Sequence, residues 1–307
     1  LIKFEPMRII YFGTPEFAVP SLQILVENGY HIVGVVTAPD KPAGRGQKLQ
    51  MSEVKQYALS QNLTILQPEK LKDEKFLEQL HTLKPDLQVI VAFRMLPEVV
   101  WALPPLGTFN LHASLLPKYR GAAPINWAII NGETETGVTT FFLQHEIDTG
   151  NIIFQEKEPI YPTDTAGDLY QRLMHKGAKL VLKTVQAIEQ GKVQPQPQIG
   201  EVTHAPKIFR ETCQINWHKT PTEIYNFVRG LAPYPAAWTT LAEKNCKIYE
   251  VSPNPIILPS EASVGNFYTD GKILAFRTIN DWIEVKDLQI EGKKRMPTEE
   301  FLKGFRI

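Results

Sequence analysis

The chain has 307 residues, 43% hydrophobic and 21% charged, the make-up of an ordinary globular protein, which excludes a disordered or fibrous chain and gives room for two domains. No apolar run approaches the length of a membrane span, and residues 1–6 lack the basic-then-apolar pattern of a signal peptide, so a cytoplasmic protein with no membrane partner is expected. Thirty-three Lys and Arg balance thirty-three Asp and Glu, so no global field recruits a polyanion, and any nucleic-acid contact must rest on a local patch.

Arg8 to Phe12 is a short apolar run ending at Gly13 and reads as a strand; Thr14 then offers a helix N-cap and Pro15 a first-turn proline. Phe17, Leu22, Leu25 and Val26 recur at helical spacing until Asn28-Gly29, and residues 31–37 form a second strand, completing a βαβ unit. Helices over about 52–61 and 73–83 alternate with strands at 64–66, 87–93 and 108–112. A short helix over 125–130, strands at 137–143 and 151–154 and a long helix over about 168–190 follow. Such alternation predicts an α/β unit, Rossmann-like, with a mainly parallel sheet. Gln194-Pro195-Gln196-Pro197-Gln198 is polar and proline-bearing and reads as extended and solvated. It sets the expected division: a catalytic domain over 1–193, a linker over 194–206 and a second domain over 207–307. There the pattern changes to one helix near 222–231 and several short strands, including a hairpin turned by Thr269-Asp270-Gly271, and a small β-barrel is predicted.

In open α/β sheets ligands bind beyond the carboxyl ends of the strands. Gly13-Thr14-Pro15 stands at one such end but lacks dinucleotide spacing. At another, Phe109-Asn110-Leu111-His112 alternates apolar and polar, which puts Asn110 and His112 on one face. Ala113 to Pro124 follows as a loop whose prolines restrict the backbone and whose small residues admit a ligand. Asp148-Thr149-Gly150, between two strands, is by itself a turn, and a single copy is no two-carboxylate protease. Cys213 and Cys246 have neither the spacing nor the company of a metal site, so no metal is expected.

Taken together, Asn110-Leu111-His112, Ser114-Leu115-Leu116-Pro117, Arg120-Gly121-Ala122-Ala123-Pro124 and Asp148-Thr149-Gly150 resemble, in order and spacing, the signature of the formyltetrahydrofolate-dependent formyltransferases. The resemblance implies the formyltransferase fold, 10-formyltetrahydrofolate as co-substrate, no metal, and a reaction centre of Asn110, His112 and Asp148. It places Ser114, Leu115, Leu116, Pro117, Phe93 and Arg94 at the folate. Gly13 to Pro20 and the loop Ala38 to Leu49 are similar to the members whose acceptor is the α-amino group of methionyl-initiator tRNA, which act in translation initiation. Lys41, Arg45 and Lys48 would then be the tRNA-binding cations of that loop, and glycines and Pro42 space them as a mobile arm able to meet phosphates. The same resemblance makes the C-terminal domain an OB-like barrel that assists tRNA binding, and the chain is expected to act as a monomer. One departure stands out: where the family has Ala-Tyr-Gly, this chain has Ala92-Phe93-Arg94, a cation beside the folate pocket.

Formyl transfer to an amine passes through a tetrahedral carbon bearing an oxyanion, and needs donors for that oxygen and an acceptor for the amine proton. Asn110 is expected to donate to the oxyanion, His112 to donate or relay a proton, and Asp148 to orient the imidazole. The alternative acceptor is a nucleotide-sugar amine, which would leave the Lys41 to Leu49 loop without a role.

Overall fold

The structure, a computed structural model, describes residues 5–43, 48–258 and 262–304. Its packing divides the chain into two compact units, one of residues 1–121, 137–158 and 171–204, the other of residues 122–136, 159–170 and 205–307.

The first unit opens with β1 (Arg8–Gly13), whose Ile9, Ile10, Tyr11 and Phe12 are all fully buried, as expected of a strand covered on both faces. The helix after it begins later than Thr14-Pro15 suggests. A 3-10 turn over Glu16–Ala18 comes first, and α1 (Val19–Glu27) starts with Pro20 in its first turn, where a missing N–H costs nothing. Thr14 caps nothing there; its hydroxyl accepts from the Ala38 N–H at 3.3 Å and ties the ends of two strands together.

Next come β2 (His31–Val36), β3 (Lys41–Ala43), β4 (Lys48–Gln50), α2 (Glu53–Ser60), β5 (Ile65–Leu66), α3 (Glu74–Leu83), β6 (Leu87–Val91), α4 (Glu98–Trp101), β7 (Thr108–His112) and β8 (Arg120–Gly121). Ser52 and Asp73 cap α2 and α3, each side chain accepting from backbone N–H groups of the first turn. β6 stops short of Phe93 because Ala92 turns into the left-handed region, φ 47°. After α5 (Pro124–Ile130) come β9 (Glu135–Phe142), β10 (Ile152–Pro159) and α6 (Ala166–Glu189).

The seven-stranded sheet runs β10-β9-β7-β6-β1-β2-β5. β5, β2, β1, β6 and β7 are parallel and β9 is antiparallel to β7, so the mainly parallel expectation holds. On one face Ile10, Phe12, Val36 and Ile90 pack against Phe76 and Leu80 of α3 and Val100 of α4. The other face meets α6 at very short range. A Cβ on Gly177 would lie 2.6 Å from Leu111 Cδ2, so a larger residue there would have to push the Leu111 side chain aside. Two turns further along the helix, Thr140 and Thr184 share a buried hydroxyl hydrogen bond of 2.9 Å. Glu158 of β10, nearly buried, receives Arg172 at 2.7 Å and Lys176 at 2.9 Å from α6.

β11 (His204–Ala205) lies where the chain passes from the first unit to the second, which holds α5, α7 (Pro221–Leu231), β12 (Ala237–Leu241), β13 (Lys244–Val251), β14 (Phe267–Thr269), β15 (Leu274–Arg277), β16 (Trp282–Ile290), β17 (Met296–Pro297) and α8 (Thr298–Gly304). Thr220 and Glu223 close a reciprocal capping box at the start of α7. The antiparallel order β12-β13-β16-β15-β14, with β17 added to β16, makes an OB-like half-barrel around Val228, Ile248, Phe276, Ile283 and Phe301. Trp217 lies flat on Phe276, ring centroids 4.4 Å apart. The expected hairpin is present: Gly271 takes φ 85° while Asp270 accepts from the N–H groups of Lys272 and Ile273.

Candidate active site

β7 delivers the first two predicted residues to the end of the parallel strands. Leu111 faces α6, so the strand's alternation turns Asn110 and His112 to the opposite face. Asn110 is half-buried, and its side-chain amide makes no hydrogen bond among the described residues. His112 is 6% exposed, and its Nε2 is 2.8 Å from the carbonyl oxygen of Tyr119. A carbonyl only accepts, so Nε2 carries the hydrogen and Nδ1 is the acceptor of the neutral ring.

Nδ1 faces Asp148, whose Oδ2 is 3.9 Å away, too far for a direct hydrogen bond. That carboxylate is also held by the Gly121 N–H, which donates to Oδ2 at 2.9 Å. The Asp148-Thr149-Gly150 pattern has a local cause. Asp148 sits at φ 55°, a region aspartate tolerates better than most residues. Two residues on, a Cβ on Gly150 would fall 1.6 Å from the Phe142 carbonyl oxygen, so the chain can double back against β9 only with glycine there.

The Ser114 to Pro117 loop is stitched from inside. Ser114 Oγ donates to the Lys118 carbonyl at 2.6 Å, and the Thr139 hydroxyl donates to the Ser114 carbonyl at 2.6 Å while accepting from the Leu116 N–H. Gln155 Nε2 donates to the Leu116 carbonyl at 2.8 Å, next to the cis Leu116–Pro117 bond. Ser114, Leu116 and Pro117 are therefore interior, and Leu115 alone of the four is partly open. Phe93 rests edge-on against Phe12, centroids 5.6 Å apart. Arg94, exposed, lays its guanidinium over the Phe93 ring and donates to the carbonyls of Pro68 and Glu69.

Of the three arm cations, Lys41 is exposed on β3 and Lys48 opens β4, which pairs with β3 in antiparallel register. Arg45 lies outside the described residues. The base of the arm is fixed by Asp40, which takes Lys55 Nζ at 2.6 Å and Gln67 Nε2 at 2.8 Å. Hydrogen bonds from Lys55 and then Gln67 hold the Asp40 carboxyl below its usual range.

Several residues of the site carry no sequence signal of their own. Tyr119, Thr139 and Gln155 act through a carbonyl, a hydroxyl and an amide that any loop or strand can contain. Gln198 belongs to the stretch read as solvated, yet Gln196 bridges to Ile152 and the Gln198 amide donates to the carbonyls of Asp148 and Gly150.

The comparisons agree with this architecture. Residues 7–185 match the family described as formyl transferase, and residues 207–306 match its C-terminal domain. Methionyl-tRNA formyltransferase of Bacteroides fragilis is 55% identical, covering 100% of this chain and 97% of its own length. The enzyme of the same name from Bacteroides thetaiotaomicron is 56% identical, covering 100% and 98%. Among solved structures, the N-formyltransferase of Helicobacter canadensis, in complex with folinic acid and dTDP-3-aminofucose, superposes with a TM-score of 0.69 at 25% identity, over 91% of this chain and 98% of that one. With two family matches in register and full-length relatives above half identity, the chain belongs to the formyl transferase family.

Proposed function

We propose that this protein transfers the formyl group of 10-formyltetrahydrofolate to the α-amino group of methionyl-initiator tRNA, as a monomeric cytoplasmic enzyme of translation initiation. The observation that carries the acceptor is identity above half, end to end, to methionyl-tRNA formyltransferases. The folate supplies an activated formyl carbon. Partly exposed apolar surface at Phe93 and Leu115 suits a planar pterin, with the interior Ser114, Leu116 and Pro117 shaping the wall behind Leu115. Arg94 serves that wall indirectly, by clamping the Pro68-Glu69 backbone beneath Phe93.

The chemistry is divided as follows. Asn110, whose amide has no other partner among the described residues, donates to the formyl oxygen as it gains charge. His112 takes the acceptor's proton at Nδ1, its Nε2 hydrogen being committed to Tyr119. Asp148 stabilises the imidazolium so formed by its charge, across a separation of 3.9 Å that is too long for a direct hydrogen bond. The proton then passes to the folate nitrogen as the old carbon–nitrogen bond breaks and the new one is complete. Lys41, Arg45 and Lys48 meet acceptor-stem phosphates from an arm whose base Asp40 anchors, and the OB-like domain adds to the tRNA contact.

The test offers the purified protein 10-formyltetrahydrofolate with charged initiator tRNA and, separately, with a nucleotide 3-amino-sugar, the acceptor class bound by the Helicobacter canadensis relative. Formylation of the tRNA, at a kcat/KM at least about a hundredfold above that of the sugar, is expected, which corresponds to about 2.7 kcal/mol of discrimination. Equal or better use of the sugar would reject the acceptor.

A further inference from the structure

Residues 186–206 fall between the two family matches, and one residue within them that reaches the site is Gln198. Its Nε2 donates to the Asp148 carbonyl at 2.7 Å and to the Gly150 carbonyl at 2.9 Å. Its Oε1 accepts from Arg120 Nη2 at 2.7 Å and from Nε at 3.2 Å. The amide has only one orientation that works, because carbonyls cannot donate and a guanidinium cannot accept.

We propose that Gln198 is a positioning residue for Asp148, with Arg120 as its anchor, so that the segment after the catalytic sheet completes the reaction centre. The inference rests on the reading of Asp148 given above. Asp148 is held at φ 55° in the doubled-back turn before Gly150. A single amide that bridges the carbonyls of residues 148 and 150 fixes both peptide planes of that turn, and with them the direction in which the carboxylate leaves the backbone. The other side of the His112–Asp148 pair is held from the same segment. Thr203 accepts from the Tyr119 N–H through its hydroxyl and from the Arg120 N–H through its carbonyl, each at 2.9 Å. Tyr119 in turn carries the carbonyl that takes the His112 hydrogen, and Gly121 donates to Asp148. Residues 198 and 203 thus brace the two partners of a pair whose separation sets how well the carboxylate stabilises the imidazolium.

The experiment measures steady-state formylation of charged initiator tRNA by the full-length protein as wild type, Gln198→Glu, Asp148→Asn and the double variant. Gln198→Glu keeps the shape and the Arg120 contact but sets an oxygen against both carbonyls. Its kcat should fall about tenfold to a hundredfold with the KM for both substrates little changed, as expected of a displaced but intact site. The double variant should be no slower than Asp148→Asn alone, because the lost interaction acts only through that carboxylate. Should the glutamate variant not fold, Gln198→Leu, which removes the donors without adding charge, is expected to give the same pattern. A kcat within about twofold of wild type for a folded Gln198 variant, or losses that multiply in the double variant, would overturn the proposal while leaving Asp148 in its role. An Asp148→Asn enzyme with wild-type kcat would instead overturn the reading of Asp148 on which it stands.

Discussion

At the residue scale the chemistry turns on which imidazole nitrogen is free. The Tyr119 carbonyl claims the Nε2 hydrogen, so the free lone pair of the ring lies at Nδ1, on the Asp148 side. Asp148→Asn removes the proposed carboxylate partner of the imidazole, and His112→Ala removes the proposed base. Each should lower kcat by about a hundredfold or more, which single-turnover measurements with both substrates saturating would show; a loss within about threefold would exclude the residue from the proton path. Asn110 and His112 were legible because a strand's alternation is a rigid geometric rule. Asp148 was legible only through the family signature. It reaches His112 through a left-handed backbone and a glycine pressed against a carbonyl, features that depend on tertiary contact. Gln198 was not legible at all, since a glutamine among prolines looks the same whether it faces water or two carbonyls.

At the scale of elements, helix caps form where they are satisfied locally. Ser52, Asp73 and Thr220 cap the helices that follow them, because a side-chain oxygen one turn from free N–H groups needs nothing from the rest of the fold. Thr14 has the same chemistry and does not cap, having a better use in the link to Ala38. The contact between β10 and α6 makes a pH-dependent contribution. Burial alone would raise the Glu158 carboxyl, but hydrogen bonds from Lys176 and Arg172 outweigh it and hold the group below its ordinary value of 4.5. A carboxyl depressed in the folded state stabilises fully above its unfolded value and loses that contribution as pH falls through the folded one. Glu158→Gln should therefore cost about 2 kcal/mol in urea unfolding at pH 7. That difference should shrink steadily below about pH 4.5, and a penalty independent of pH would show that packing, not charge, was lost.

At the scale of the whole molecule, a chain of zero net charge cannot draw tRNA by a diffuse field, so its cations must act where they stand. Arg45→Ala together with Lys41→Ala should raise the KM for tRNA about tenfold at low salt and flatten the salt dependence of binding by about one unit of slope per lost phosphate contact. The KM for the folate should not move, and a parallel rise in both would mean that the arm shapes the folate site instead. The broad architecture was legible because alternating periodicities survive any detail of packing. What escaped was how the polar stretch after α6 is used. Gln196 exchanges both backbone hydrogen bonds with Ile152, at 2.7 and 2.9 Å, at the start of β10, one of the two outermost strands of the seven. An outermost strand is a template on which another chain can grow, and here the position is taken by a residue flanked by Pro195 and Pro197, neither of which has an N–H to offer. The plug fills one rung and cannot itself be extended, while Glu156 and Lys157 place charge further along the strand. The Gln-Pro alternation thereby leaves no open backbone rung at that position for another strand to pair with.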